Sequence, residues 1–256
     1  MIDNFILIRY KREVFDNMPK HVKDNFSSMC MDEWDKVQEL LFQQQIEQIK
    51  NMYPLATIHL ITNDKNRKDD RLQIHCFSDM ESNHVSKLKV FGLLSESAMY
   101  VDNDIIFFKP FGKLHLETDH EFNLYQKSRK YDVQSLAKEK LPVPIDCHYN
   151  AGIIWVKKPS KELYERLCEI HERYFSDREL IMSQNRWADS DELPISVYIS
   201  ENKMKMKTFT DVSVQRASIS KLDVVKKQSV HYTGIDINFK KLCLREIKFK
   251  SKFKFI

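Results

Sequence analysis

Glycine and proline are scarce, at 4 and 7 of 256 residues, where a chain of this length ordinarily carries about 18 glycines. Gly92, Gly112, Gly152 and Gly234 lie far apart, so the glycine-rich dinucleotide fingerprint, the P-loop and the G-x-S-x-G elbow cannot be written here. Dinucleotide-dependent oxidoreductases, P-loop kinases and elbow hydrolases are excluded on that ground. Cys30, Cys76, Cys147, Cys168 and Cys243 are odd in number, widely spaced and never in a C-x-x-C arrangement. They suggest neither a disulfide framework nor a structural zinc site. Long apolar runs are missing too. The N-terminus MIDNFILIRYKRE offers an apolar run of only four residues before Arg9, too short for a secretory leader, and no stretch approaches the roughly 18 of a membrane span. The expected address is a reducing cytosol.

Excess charge is absent over most of the chain. From Lys240 to Ile256 seven basic side chains face Glu246 alone, while the rest carries 34 basic and 36 acidic side chains. The body is near neutral and the tail is basic. A nucleic-acid enzyme spreads its positive charge over a working face, because phosphate neutralisation supplies much of its affinity; no nucleic-acid partner is expected. With 42% hydrophobic residues and 16 phenylalanines, there is ample material for one large core.

Periodicity gives the organisation. Phe5 to Ile8 reads as a buried first strand. Asp32 to Met52 has a helical period through Trp34, Val37, Leu40, Leu41, Ile46 and Ile49, with Asp32 as its cap. Leu55 to Ile61 and Leu72 to Phe77 read as strands, Asn83 to Glu96 as helix, and Ala98 to Val101 as a fourth strand. This order opens an α/β sheet. Ala151 to Val156 is another buried run, Pro159 and Ser160 start a helix, and Lys161 to Tyr174 is amphipathic. Residues 113–147 and 200–229 mix short apolar pieces with charge and are expected to leave the sheet.

Asp102-Asn103-Asp104 puts two carboxylates at i and i+2 just beyond the apolar run AMYV. At the carboxyl end of a buried strand such a pair can turn toward one hard cation, Mn²⁺ or Mg²⁺. A solvated turn is the alternative. With 20 aspartates in the chain, roughly 1.5 such triplets arise by chance, and two occur, the other being Asp189-Ser190-Asp191. The triplet alone therefore carries little.

Its context carries more. The segment HVSKLKVFGLLSESAMYVDNDIIFFKPF resembles the helix, strand and D-x-D block of the family-eight glycosyltransferases, the group that includes glycogenin and bacterial galactosyltransferases. Tyr149-Asn150-Ala151-Gly152-Ile153-Ile154-Trp155, followed by PSKELYERL, is similar to that family's N-[AS]-G strand and the helix after it. His231-Tyr232-Thr233-Gly234 is similar to its H-x-x-G element. The resemblance runs from about residue 83 to 175, resumes near 230, and is faint before residue 50.

The resemblance implies a GT-A type, Rossmann-like mixed sheet flanked by helices, as a single domain over residues 1–239. It implies a metal-dependent hexosyltransferase of glycan biosynthesis, using Mn²⁺ or Mg²⁺ and a UDP-sugar donor, with retention of anomeric configuration. The acceptor would be a glycan, a lipid-linked sugar or a protein. Asp104 would be the main metal ligand, Asp102 would be shared between metal and ribose, and His231 would be the third ligand. Gly234 would let backbone approach a phosphate. Asn150 would meet sugar hydroxyls, Gly152 would keep the floor of that pocket open, and Lys87 would contact a phosphate or the sugar. The family's Asp-Gln pair corresponds to Asp191-Glu192, which makes Asp191 a catalytic candidate and replaces the amide by an acid. The family's lysine after the metal histidine is Ile237 here, leaving Lys240 or Lys241 to substitute.

Residues 240–256 form a basic, aromatic tail in which Lys248, Lys250, Lys252 and Lys254 alternate with Phe249, Phe253 and Phe255. It reads either as a peripheral contact with a membrane interface or as a final strand with one solvated face. A non-catalytic scaffold of the same fold, docked on an anionic surface through this tail, is the rival to the enzyme reading. A two-metal phosphohydrolase is a weaker third, because the chain shows no clustered His and Asp set.

Overall fold

Alternation within the strands dictates a layered molecule. In β1 (Asn4–Ile8) every residue is buried, Phe5 and Leu7 toward one layer and Ile6 and Ile8 toward the other. Burial on both faces is what makes such a strand read as a continuous apolar run. The computed structural model describes residues 2–9, 31–77, 85–107, 109–111, 121–126, 133–145, 148–177, 180, 191–208, 213–216, 229–232 and 241, with the backbone alone described for 31–32, 85–86, 125–126, 213–216 and 229–232.

One layer is α1 (Met31–Met52), whose Phe42, Ile46 and Ile49 join Phe5, Leu7, Met99 and Val101 in one core. Burying each of these side chains contributes roughly 1.5–3 kcal/mol. The helical period is found as expected except at Leu40, which is 46% exposed, while Phe42 beside it is fully buried. Asp32 lies inside the helix rather than capping it.

The opposite layer holds α2 (Val85–Leu88), α3 (Val90–Leu93), α4 (Lys161–Ile170) and α5 (Glu192–Glu201). Leu88, Phe91, Leu163, Leu167, Ile195 and Ile199 pack there against Ile6, Tyr100, Leu124 and Ile154. The single helix expected over 83–96 is two short ones. Ser160 caps α4, its hydroxyl accepting the Leu163 N–H at 3.1 Å. Gly92 permits the contact between α3 and α4, since a Cβ there would stand 3.0 Å from the Tyr164 Cβ.

Between the layers lies a seven-stranded sheet in the order β3-β2-β1-β4-β7-β6-β8. Its remaining strands are β2 (Thr57–Thr62), β3 (Gln73–Cys76), β4 (Ala98–Val101), β6 (Phe122–Gln126), β7 (Tyr149–Val156) and β8 (Met206–Thr208). The first four strands in chain order are parallel, and β7 runs against both its neighbours. Two expectations are corrected here. β6 and β8 come from the segments expected to leave the sheet, yet β6 pairs with β7 on one side and β8 on the other. A smaller sheet joins β5 (Ile105–Phe107), β9 (Ser213–Arg216) and β10 (Ser229–Tyr232) in the order β5-β10-β9.

Reversal of β7 positions the site. Its start lies beside the end of β4, because Val101 pairs with Ile153 and the Asp102 N–H donates to the Gly152 carbonyl at 2.8 Å. The pairing of β6 with β7 then jumps from Leu124↔Ile154 to Tyr125↔Asn150. Such irregularities re-aim side chains near functional sites, and this one falls on the Asn150-Ala151-Gly152 block. Among the described residues no helix is long and apolar enough to cross a membrane, and the thiols of Cys76 and Cys168 are free.

Candidate active site

The Asp102-Asn103-Asp104 turn closes tightly after β4. The Ile105 N–H donates to the Asp102 carbonyl at 3.2 Å, and Asn103 Nδ2 donates to the Ile8 carbonyl at 3.1 Å. The middle residue thus fastens the turn to the end of β1. Asn150 stands at the start of β7 and, because β7 is reversed, reaches the same sheet edge as the carboxyl end of β4.

Lys87 joins the acids. From the last turn of α2 its Nζ lies 3.1 Å from Asp102 Oδ1 and 3.3 Å from Asp191 Oδ2. The Asp191 side chain has no exposure, whereas those of Lys87 and Asp102 are 19% and 24% exposed. Asp191 stands at the N-terminal boundary of α5 but its side chain makes no capping hydrogen bond. Tyr100, on the same face of β4, donates its hydroxyl to Asp102 Oδ1, and its ring lies 5.5 Å below the Lys87 ammonium. Burial holds the Tyr100 hydroxyl well above its ordinary pKa, and the nearby Asp102 carboxylate adds to the effect. The group is therefore a hydrogen-bond donor at neutral pH.

A second buried acid lies next to this cluster. Glu192, 2% exposed, accepts from Asn150 Nδ2 at 2.5 Å and from the Ala151 N–H at 3.4 Å, both through Oε1. Its Oε2 lies 2.9 Å from Nε2 of His148, whose side chain is fully buried. Asn150 Oδ1 accepts the Gly152 N–H at 3.0 Å. An amide offers two donors and two acceptor lone pairs, so among the described residues Asn150 keeps one N–H and one lone pair that could meet a ligand. Gly152 is buried, its carbonyl and N–H engaged by Asp102 and Asn150.

For a metal, the relevant observation is the ladder between β5 and β10. It pairs His231 with Ile105, so the backbone of His231 runs beside the residue that follows Asp104. Two carboxylates and an imidazole suit Mn²⁺ or Mg²⁺ chemically, and the register fits that set. Among the described residues no three His, Cys, Asp or Glu side chains converge on one point. The His231 side chain, Gly234, Ile237 and Lys240 lie outside the described residues. Lys241 is described, and its Nζ pairs with Glu33 Oε1 of α1.

The structure brings Lys87, Asp102 and Asp191 within ion-pair distance and sets Asn150 at the same sheet edge, and sequence reasoning missed three residues beside them. Asn103, Tyr100 and His148 carry no periodic signal. Only the adjacency of His148 to the Tyr149-Asn150 block, and the unusual acid at Glu192, pointed to it.

The sheet order and flanking helices are those of the GT-A fold of LgtC. A crystal structure of the galactosyltransferase LgtC with donor and acceptor sugar analogues superposes with a TM-score of 0.58 at 8% identity, covering 99% of this chain and 96% of that one. A structure of an active-site glutamine-to-glutamate mutant of LgtC gives 0.52 at 8% identity, covering 96% and 95%. No protein-family model and no curated protein sequence matches the chain.

Proposed function

We propose that the chain is a glycosyltransferase that moves a hexose from a nucleotide diphosphate donor, UDP-linked, to an acceptor hydroxyl with retention of configuration. The observation that carries this reading is the meeting of Asp102, Lys87 and Asn150 at one sheet edge, with the His231 backbone paired to Ile105, the residue after Asp104, in a fold shared with a galactosyltransferase. Ligands of open α/β sheets gather at such edges.

Asp104 and His231 would hold Mn²⁺ or Mg²⁺, and Asp102 would divide its oxygens between that ion and the ribose. When bound, the cation neutralises the diphosphate and acts as a Lewis acid on the leaving group. Gly234 lets the backbone approach a phosphate closely. In the transfer step the bond between the anomeric carbon and the β-phosphate oxygen breaks, and its electron pair stays with the phosphate. The acceptor oxygen bonds the same face of the carbon, and its proton passes to the departing phosphate. Asn150, with one donor and one acceptor left, meets the sugar hydroxyls. Asp191 acts electrostatically: a buried carboxylate in a low-dielectric site stabilises positive charge developing on the ring. Lys87 pairs with that carboxylate and meets the incoming phosphate or sugar from the same position. The acceptor is a glycan, a lipid-linked sugar or a protein.

Thermal shift tests the metal-dependent donor site. UDP raises the melting temperature when Mn²⁺ is present and not with EDTA, by mass action on the native state, and Asp104→Asn removes the response without lowering the ligand-free melting temperature. Equal stabilisation with EDTA contradicts the metal assignment. No response to any nucleotide favours a non-catalytic scaffold.

A further inference from the structure

We infer that His148 and Glu192 are a positioning pair that fixes how Asn150 presents its amide to the donor sugar, an assignment that rests on the glycosyltransferase reading. A carboxylate can only accept hydrogen bonds, so Glu192 Oε1 at 2.5 Å admits only the Nδ2 side of the Asn150 amide. The Gly152 N–H, 3.0 Å from Oδ1, imposes the same orientation from the other side. With an amide in place of Glu192 the first constraint would vanish, since an amide can donate as well as accept.

A carboxylate buried this deeply is costly unless its oxygens are engaged. The Ala151 N–H at 3.4 Å shares Oε1 with Asn150, and His148 Nε2 stands 2.9 Å from Oε2. His148 precedes β7 and Glu192 opens α5, so the pair also fastens the start of the strand to the helix. Ser196 of α5 reinforces that junction, its hydroxyl accepting the Tyr149 N–H at 3.2 Å while donating to the Glu192 carbonyl at 2.9 Å. His148 therefore acts through Glu192 and touches no substrate itself. Both oxygens of Glu192 are engaged inside the protein, which makes it a clamp and not a base.

The test compares His148→Leu, which removes the imidazole beside Glu192 Oε2, with His148→Gln, which puts an N–H donor in the position. Affinities for UDP and for a panel of UDP-hexoses are measured by calorimetry with Mn²⁺, and the Asn150 side-chain amide is followed by NMR. His148→Leu is expected to leave UDP affinity unchanged and to cut the extra affinity conferred by the hexose roughly fivefold, the value of one well-aimed hydrogen bond. The Asn150 amide proton, expected downfield in the wild-type protein from its bond to Glu192, is expected to move toward the usual amide range. His148→Gln, and Glu192→Gln added to His148→Leu where the single variant folds poorly, separate the two roles: the first restores the sugar increment and the second restores stability without it. An unmoved Asn150 amide, or equal losses for UDP and UDP-hexose in His148→Leu, overturns the assignment. If the wild-type protein gains no affinity from any hexose, the glycosyltransferase reading fails and takes the sugar role of Asn150 with it.

Discussion

Lys87 places its ammonium 3.3 Å from Asp191, a carboxylate with no exposure to solvent. The same nitrogen lies 3.1 Å from Asp102. A candidate metal ligand and a candidate catalytic acid are thus joined through one cation carried on a four-residue helix.

Removing that cation takes one ion-pair partner from a buried carboxylate. Lys87→Met is expected to destabilise the fold by roughly 3 kcal/mol, the usual cost of breaking such a pair from one side. Adding Asp191→Asn removes the buried charge that Lys87 offsets and recovers most of the loss. Urea unfolding of the two variants checks this; a single-variant loss near zero, or no recovery in the double variant, contradicts the coupling.

Strands buried on both faces were legible in the sequence, because a continuous apolar run such as Ile153-Ile154-Trp155 leaves few alternatives. β6 was not. Its Phe122-Asn123-Leu124 core is buried in full, yet the buried Asn123 makes it read as a mixed segment. The candidate site was legible where two candidate groups are close in sequence, as in Asp102 and Asp104. It was hidden where function needs one residue from each of two distant elements, as with His148 and Glu192. Periodicity reports which face of an element is buried and says nothing of which buried polar group meets which.

The sheet carries an acid-sensitive joint away from the site. His59, 4% exposed, lies with Nδ1 3.1 Å from His75 Nε2 and Nε2 3.2 Å from Asn4 Oδ1. Burial pushes its pKa down to about 4 from the ordinary 6.5, and the neighbouring His75 adds to the shift. The folded value lies below the unfolded one, so the unfolded chain takes up the proton first. Stability is full above pH 6.5 and is lost as the pH falls toward 4. His59→Gln is expected to flatten the stability profile across that window in denaturant titrations; an unchanged slope refutes the assignment.

The basic, aromatic residues 240–256 are proposed to dock the protein on an anionic membrane carrying its acceptor. Each Lys or Arg near such a surface contributes about 1 kcal/mol, enough in sum for reversible, salt-sensitive attachment. Deleting residues 246–256 is expected to abolish sedimentation with phosphatidylserine vesicles and to spare UDP binding. Loss of UDP binding or of folding in the truncated protein assigns the tail to the body of the fold instead.

Turnover is the decisive observable, since the scaffold alternative has none. Incubated with Mn²⁺ and a panel of UDP-hexoses, the protein is expected to release UDP slowly with water as acceptor, and NMR is expected to find the freed sugar first in the anomeric configuration of the donor. Asp104→Asn and EDTA abolish the release, and Asp191→Asn slows it by on the order of 10² while leaving UDP affinity unchanged. Absence of UDP release from every donor, release that persists undiminished in EDTA, or a sugar of inverted configuration contradicts a metal-dependent, retaining transferase.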